Sequence, residues 1–398
     1  DLDWLRVLAI LLLLYFHTAM IFASDLGWHI KNEETSQLLR EANYFLSRWR
    51  MPLLFLISGI GTSFALRRRT AREYVAERTR GLLVPVVFGV LVVVPPQIYI
   101  ERIANGAEFG SFLSFFPTVF TTGPYPHGNL SWHHLWFVVY LFLYSLAALP
   151  LFLHLRRDGG RIARAVERRL SGLGLYALAL PLGAVLAGLA VRWRGPQNIV
   201  DDWAFLLYYF LFFVYGYLFA TAEASWTAIE RRRQSSLALA IGATTATFTI
   251  RWSGAAPPLE YSVEQVLFHL LQGLNAWAWV LAILGYGKRY LDRPSRLLQR
   301  ANEGIYPFYI VHQTVIILVG YPVIQTGDGI VAKYLVVSTV SLILSWATVE
   351  LLIRPFALTR FLFGMRSMRT PVHAGNPLHE EGRGANLERN ARPSPTRR

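Results

Sequence analysis

The sequence predicts an all-α fold, a polytopic membrane bundle of about ten transmembrane helices. Three observations predict it. Of the 398 residues, 54% are hydrophobic, and the mean hydropathy is +0.35. Only 16% are charged, against roughly 25% in soluble domains. The charges fall in short clusters between apolar runs, which is how a chain that crosses a bilayer repeatedly distributes them. That placement explains the net charge of +14 without a nucleic-acid partner. The absence of cysteine excludes disulfides, thiolate metal sites and an acyl-cysteine intermediate.

Ten apolar runs are long enough to span: roughly 4–23, 44–66, 82–100, 133–154, 173–191, 203–220, 236–252, 266–286, 304–320 and 333–353. The basic loops are 67–80, 156–169, 231–233, 288–300 and everything from Arg354 onward. With Arg6 they carry 30 of the 39 Lys and Arg. The basic side belongs in the cytoplasm, which puts both termini there, in a bacterial inner membrane. The chain opens with Asp, so a preceding piece is expected, and the first span lacks the small-residue pattern of a removable signal peptide. The domain expected is 1–364. Residues 365–398 read as a disordered basic tail whose charge suits a lipid surface.

The first span, DWLRVLAILLLLYFHTAMIF, carries two residues ill suited to hydrocarbon, Arg6 and His17. Eleven positions make three turns plus roughly 20°, so both lie on one face, about 16 Å apart along the axis. Such a stripe must face protein or water. Arg6 alone reads as an interfacial anchor, and His17 alone as a helix–helix hydrogen bond. Together they read as the wall of a reaction site.

The second span opens SRWRMPLLFLISGIGTSF. Arg48 and Arg50 are expected at its outer end, with Pro52 near a helix N-terminus, where its missing N–H costs little. Ser58, Gly59 and Gly61 suit close approach of another backbone. Arg50 is either an interface anchor or a holder of an acyl oxygen or carboxylate near His17. The loop 101–130 is rich in Phe, Tyr, Pro and Gly. It suits a folded lid or a platform for sugar rings, or an interfacial aromatic belt.

The fourth span opens SWHHLWFVVYLF. Ser131 is a candidate N-cap. Adjacent His133 and His134 cannot share one face of a helix, so one is expected to line the cavity. A zinc pair prefers a spacing of three or four on a helix, and no metal is expected. In the ninth span Tyr309, His312 and Gln313 fall within one turn, which makes His17 and His312 two membrane-depth histidines on separate helices. Near the end of the tenth, Glu350 and Arg354 have the spacing of a helical ion pair.

These residues resemble a known family. Asp3-x-x-Arg6 followed by His17 is similar to the first helix of the acyltransferase-3 family of integral membrane O-acyltransferases. Arg50-Met51-Pro52-Leu53-Leu54-Phe55-Leu56-Ile57-Ser58-Gly59 resembles its second-helix signature. His134-Leu135-Trp136-Phe137 resembles its Leu-Trp-Phe element, and Tyr306 to His312 its late Tyr-x-x-x-His segment. The stretch from Asn275 through AWAWVLAILGYGKRYLDRPSRLL is closer still to the branch that succinylates periplasmic glucans. The resemblance implies transfer of an acyl group, succinyl or acetyl, from cytoplasmic acyl-CoA (succinyl-CoA or acetyl-CoA) to a hydroxyl of a periplasmic glucan or another carbohydrate. No permanently bound cofactor is implied. The family often ends with a Glu close before Arg/Lys-Pro, and here Glu350 stands farther from Arg354-Pro355.

The chemistry needs a base, oxyanion stabilisation and two substrates held together. His17 is expected as the base, because a buried imidazole is most stable in its neutral form. Arg50 or His312 is expected to stabilise the oxyanion. Asp3, Arg6, Arg48, His134, Trp136 and Tyr309 are expected to contact substrate. Two rival readings are a transporter or flippase, with the buried Arg and His on a substrate path, and a scaffold for polysaccharide export.

Overall fold

The computed structural model describes residues 1–366 apart from 159–160, 163–164, 166–167, 169–171, 196, 222 and 294. The expected tail lies almost entirely outside the described residues. Asp1–Met365 form one compact unit. Among the described residues there is no β-strand, only two isolated bridges.

Helices α1 (Leu2–Phe22), α2 (Gln37–Arg68), α3 (Ala71–Ala104), α8 (Trp203–Thr221), α11 (Val263–Tyr290), α12 (Arg296–Ile324) and α13 (Ile330–Ile353) are long and apolar enough to cross a membrane. The pair α5 (His133–Ala147) and α6 (Leu149–Arg157), bent by 44°, makes an eighth span if counted as one. Between them lie the shorter α4 (Phe112–Thr121), α7 (Gly174–Leu189), α9 (Glu223–Arg231) and α10 (Arg233–Trp252), and α14 (Ala357–Leu362) closes the described chain. All ten expected runs are therefore helical, and seven or eight meet the spanning criterion. The run 173–191 breaks at Leu178. In 236–252 threonines dilute the apolar face, so α10 is a full helix of lower hydropathy.

Small residues set the packing of α2 on α8. A Cβ on Gly59 would lie 1.9 Å from the Phe213 carbonyl oxygen, and one on Gly216 2.0 Å from that of Leu56. The two backbones touch where neither glycine has a side chain. Gly61, expected to share this role, faces open space. Helix α1 packs against α2, α11, α12 and α13. Leu335, Val336, Ile343, Leu344, Leu351 and Leu352 of α13 are exposed, as suits a lipid-facing surface.

One expected boundary is corrected. Pro52 lies inside α2, since the helix begins at Gln37 behind an N-cap from Ser36, whose hydroxyl accepts from Leu39 N–H at 3.4 Å. The polar turns 37–47 obscure that start in the sequence. Arg48 and Arg50 consequently sit about 16–20 Å along the helix from its first residue, well inside it.

Between α1 and α2 the chain folds back on itself. Ser36 N–H donates to the Phe22 carbonyl at 2.7 Å, and Asn32 N–H to that of Ile21 at 3.1 Å. Lys31 caps the end of α1, donating to the carbonyls of Met20 (2.9 Å) and Ala23 (2.5 Å). Burial lowers its pKa, and Asp25 partly offsets that. The aromatic loop 101–130 is folded: Phe115 and Val119 are buried, and Arg102 pins its far end by donating to Asn129, Pro126 and Gly128.

Candidate active site

Helices α1 and α12 run in the same direction and meet at two levels. At one level Arg6 donates to Asn302 and, at 3.1 Å, to Asp3. At the other, His17 Nδ1 lies 2.9 Å from His312 Nε2, with the two rings stacked at 5.1 Å between centroids. The stripe expected on the first span therefore faces α12. Eleven residues on one helix and ten on the other climb nearly the same distance, so both contacts form at once.

The hydrogen bonds around the pair set its tautomers. His312 Nδ1 lies 2.6 Å from the Tyr309 carbonyl, which can only accept. Nδ1 therefore carries the proton, and the neutral ring presents a lone pair at Nε2. His17 Nδ1 must donate to it, which leaves the lone pair of His17 at its Nε2. His312 is fully buried, whereas His17 keeps some exposure. The outer of the two rings is thus the one with a free basic nitrogen.

Arg50 reaches this pair through Phe16. Its guanidinium carbon sits 3.9 Å from the Phe16 ring centroid, and that ring lies 5.5 Å from His17. Asn43 Nδ2 donates to the Phe16 carbonyl at 3.1 Å and ties α2 to α1 at this level. Arg50 is 2% exposed, and its Nε and Nη1 have no hydrogen-bond partner among the described residues. An uncompensated buried cation costs several kcal/mol. The face of the Phe16 ring offsets part of that cost.

His134 and Tyr309 close the pair on its inner side. The His134 ring stands edge-on to His312 at 5.4 Å, and its Nε2 donates to the Ile310 carbonyl at 2.9 Å. The Tyr309 hydroxyl donates to the His134 carbonyl. Both side chains already have protein partners and act as walls that position His312.

The remaining expected residues lie elsewhere. Arg48 stacks on Tyr44 at 4.3 Å and reaches Gln272 at 3.4 Å. Trp136 packs on Tyr140, Tyr209 and Phe55. Arg6 and Asp3 form the first-turn pair described above, at the end of α1 opposite His17. Glu350 pairs with Arg354 at 2.9 Å, as its spacing implies, and also with Arg300 at 2.8 Å. A pocket of about 190 Å³ lies near the far end of α2, lined by Ser63, Arg67, Arg156 and Tyr217.

Two groups of polar residues are not legible as groups in the sequence, which singles out only one member of each, Gln313 and His133. One is a chain behind His312. Gln313 Nε2 donates to Gln97 Oε1 at 3.0 Å, Gln97 Nε2 to Thr314 Oγ1 at 2.7 Å, and Thr314 Oγ1 to the Val93 carbonyl at 2.7 Å. It joins α12 to a π-helical turn of α3, Gly89–Val93, of a kind frequent at functional sites. The other is His29, Glu101 and His133, each of which offers a ligand atom within 4.8 Å of the others. The adjacent histidines do part as expected: His134 turns to His312, and His133 turns to His29, 4.4 Å between ring centroids. Tyr125 borders this second cluster. Burial first, and the Glu101 carboxylate second, push its phenol up to about 12.

Comparisons with known proteins place the chain among relatives. The acyltransferase-domain family matches residues 1–350. The chain is 24% identical over 334 residues to glucans biosynthesis protein C of Escherichia coli O81 (strain ED1a), covering 80% of this chain and 82% of that relative. Identity and coverage are the same for the proteins of that name in E. coli K12 and O157:H7. No solved structure matches the chain.

Proposed function

The chain belongs to the acyltransferase-3 family, and from that premise we propose that it is an integral membrane O-acyltransferase. It moves a succinyl or acetyl group from acyl-CoA on the cytoplasmic side to a hydroxyl of a periplasmic glucan. The likeness to glucans biosynthesis protein C supports the carbohydrate acceptor. The basic loops support an inner-membrane orientation with cytoplasmic termini. Arg67 and Arg156, beside the pocket at the end of α2, suit the phosphates of the coenzyme.

The observation that carries the mechanism is the His17–His312 contact with its fixed proton positions. His17 Nε2 takes the proton of the acceptor hydroxyl as its oxygen attacks the thioester carbonyl. The charge that develops on His17 is shared through Nδ1–H with His312 Nε2. Arg50 meets the oxyanion of the tetrahedral intermediate, or the free carboxylate of a succinyl donor. Collapse breaks the carbon–sulfur bond, and the thiolate of CoA leaves with the proton held by His17. With no cysteine in the chain, direct transfer in one ternary complex is the simplest route.

Purified protein in detergent, given acyl-labelled donor and soluble glucan, tests this. Label should appear on the glucan with wild type and not with His17→Ala. A transporter would need sealed vesicles to show any activity, so transfer without a compartment separates the two classes. Near-normal transfer by His17→Ala would remove the base from the scheme.

A further inference from the structure

We propose that His29, Glu101 and His133 bind a divalent transition-metal ion of the zinc type, at a site next to the His17–His312 pair and independent of its role. The three residues come from the turn after α1, the end of α3 and the start of α5. Their ligand atoms lie within 4.8 Å of one another. Two imidazoles and one carboxylate, with a position open for water or a hydroxyl, form the donor set of a three-ligand zinc centre. Imidazole nitrogens disfavour magnesium and calcium, which take oxygen ligands. Metal–ligand bonds of about 2.0–2.2 Å put ligand atoms roughly 3.3 Å apart, so modest side-chain rotation closes the site.

Independent features of the three side chains point to a ligand. His133 Nε2 is buried and has no hydrogen-bond partner among the described residues, a costly state for a ring nitrogen. Its other nitrogen is occupied, with Nδ1 3.0 Å from Ser131 Oγ. The backbone of His133 has φ +38°, strained for a residue with a Cβ, and such strain gathers at functional sites. His29 is arranged in the same way. Nδ1 meets the Glu101 carboxylate, and Nε2 lies 3.1 Å from the Gln313 carboxamide. An outer partner on the non-ligating nitrogen is what orients a metal-bound imidazole. Gln313 donates to Gln97 Oε1 with the same nitrogen, so Nε2–H gains its acceptor when the Gln313 and Gln97 carboxamides turn together and the Thr314 hydroxyl donates to Gln97. Arg102, the nearest cation in sequence to Glu101, is committed to Asn129, Pro126 and Gly128 and does not pair with the Glu101 carboxylate, which meets His29 and the Tyr125 hydroxyl.

The experiment uses tag-free, full-length protein in detergent, stripped with chelator, reloaded with zinc and desalted. Metal content by mass spectrometry should be about one zinc per chain. His29→Ala, Glu101→Gln and His133→Ala should each weaken retention at least tenfold, and His312→Ala should not, which separates this site from the proposed acyl-transfer base. If an alanine variant fails to fold, His133→Cys with cobalt(II) decides. The chain holds no other cysteine, so a sulfur-to-cobalt charge-transfer band reports ligation at position 133 alone. Wild type that retains no zinc, zinc retention unchanged in His133→Ala, or cobalt bound by His133→Cys without that band would each overturn the proposal.

Discussion

His17 and His312 meet nitrogen to nitrogen at 2.9 Å across two helices that climb together from the Arg6–Asn302 contact. Only one proton arrangement of the neutral pair satisfies the Tyr309 carbonyl beyond it. The two rings therefore act as a unit, and losing either disturbs the other. His17→Ala should lower kcat by at least about 10²-fold, the scale of general-base catalysis. His312→Gln should cost less, because a carboxamide oxygen can still accept from His17 Nδ1. The double variant should be no worse than His17→Ala alone. Steady-state rates on the four proteins check this, and additive losses would mean that the rings act separately.

Arg50 and Arg48 stand two residues apart but in different surroundings. Arg50 is buried with two nitrogens that have no hydrogen-bond partner among the described residues, and Arg48 rests on Tyr44 and Gln272. Arg50→Lys keeps the charge and loses the planar fork and the flat stacking on Phe16. It should reduce acyl transfer by roughly 10²-fold, the scale of one lost oxyanion donor. Arg48→Lys should stay within a few-fold of wild type. Equal losses in the two variants would place the substrate between them instead of at Arg50.

Gly59 and Gly216 fix the height of Arg50 against α8. A methyl group at either position would overlap a carbonyl oxygen at about 2 Å. The backbones must then separate, since no flexible side chain can yield. Gly59→Leu or Gly216→Leu should lower the melting temperature in detergent by several degrees or prevent assembly, with overpacking costs of about 1–3 kcal/mol or more. Gly61→Leu faces open space and should melt like wild type.

The sequence makes one half of the site readable and hides the other for a physical reason. Arg6, His17 and His312 stand out because each is polar inside an apolar helix, where spacing alone assigns a face. His29 and Glu101 carry no such signal. They occupy turns and helix ends where polar residues are ordinary, and only the tertiary fold brings them together. His133 was visible as a polar ring at a helix mouth, but its partners lie far away in sequence. Pro52 misleads because a proline signals a helix start only where the backbone before it is unbonded. Here the Ser36 cap and the amphipathic turns after it carry α2 through the proline. The shortfall from ten spans to seven or eight traces to Thr-rich α10 and to the break in the 173–191 run.

Asp202 offers a test by pH. It is fully buried just before α8, with Oδ2 accepting from the Tyr140 hydroxyl at 2.6 Å and Oδ1 without a partner among the described residues. Burial raises its pKa from 3.8 to about 7, against the smaller opposing pull of the Tyr140 hydrogen bond. Between about pH 4 and pH 7 the folded chain then holds a proton that the unfolded chain has lost. By linkage, stability falls as pH rises through that window and levels off above it. Asp202→Asn keeps an acceptor for Tyr140 and removes the titration. Its melting temperature should follow pH more weakly than that of wild type between pH 4 and 8. Above pH 7 the variant should be the more stable protein by on the order of 1 kcal/mol, the full shift being reduced by solvent screening. Parallel melting profiles for the two proteins across that range would mean that Asp202 stays ionised in the folded chain, with solvent reaching its second oxygen.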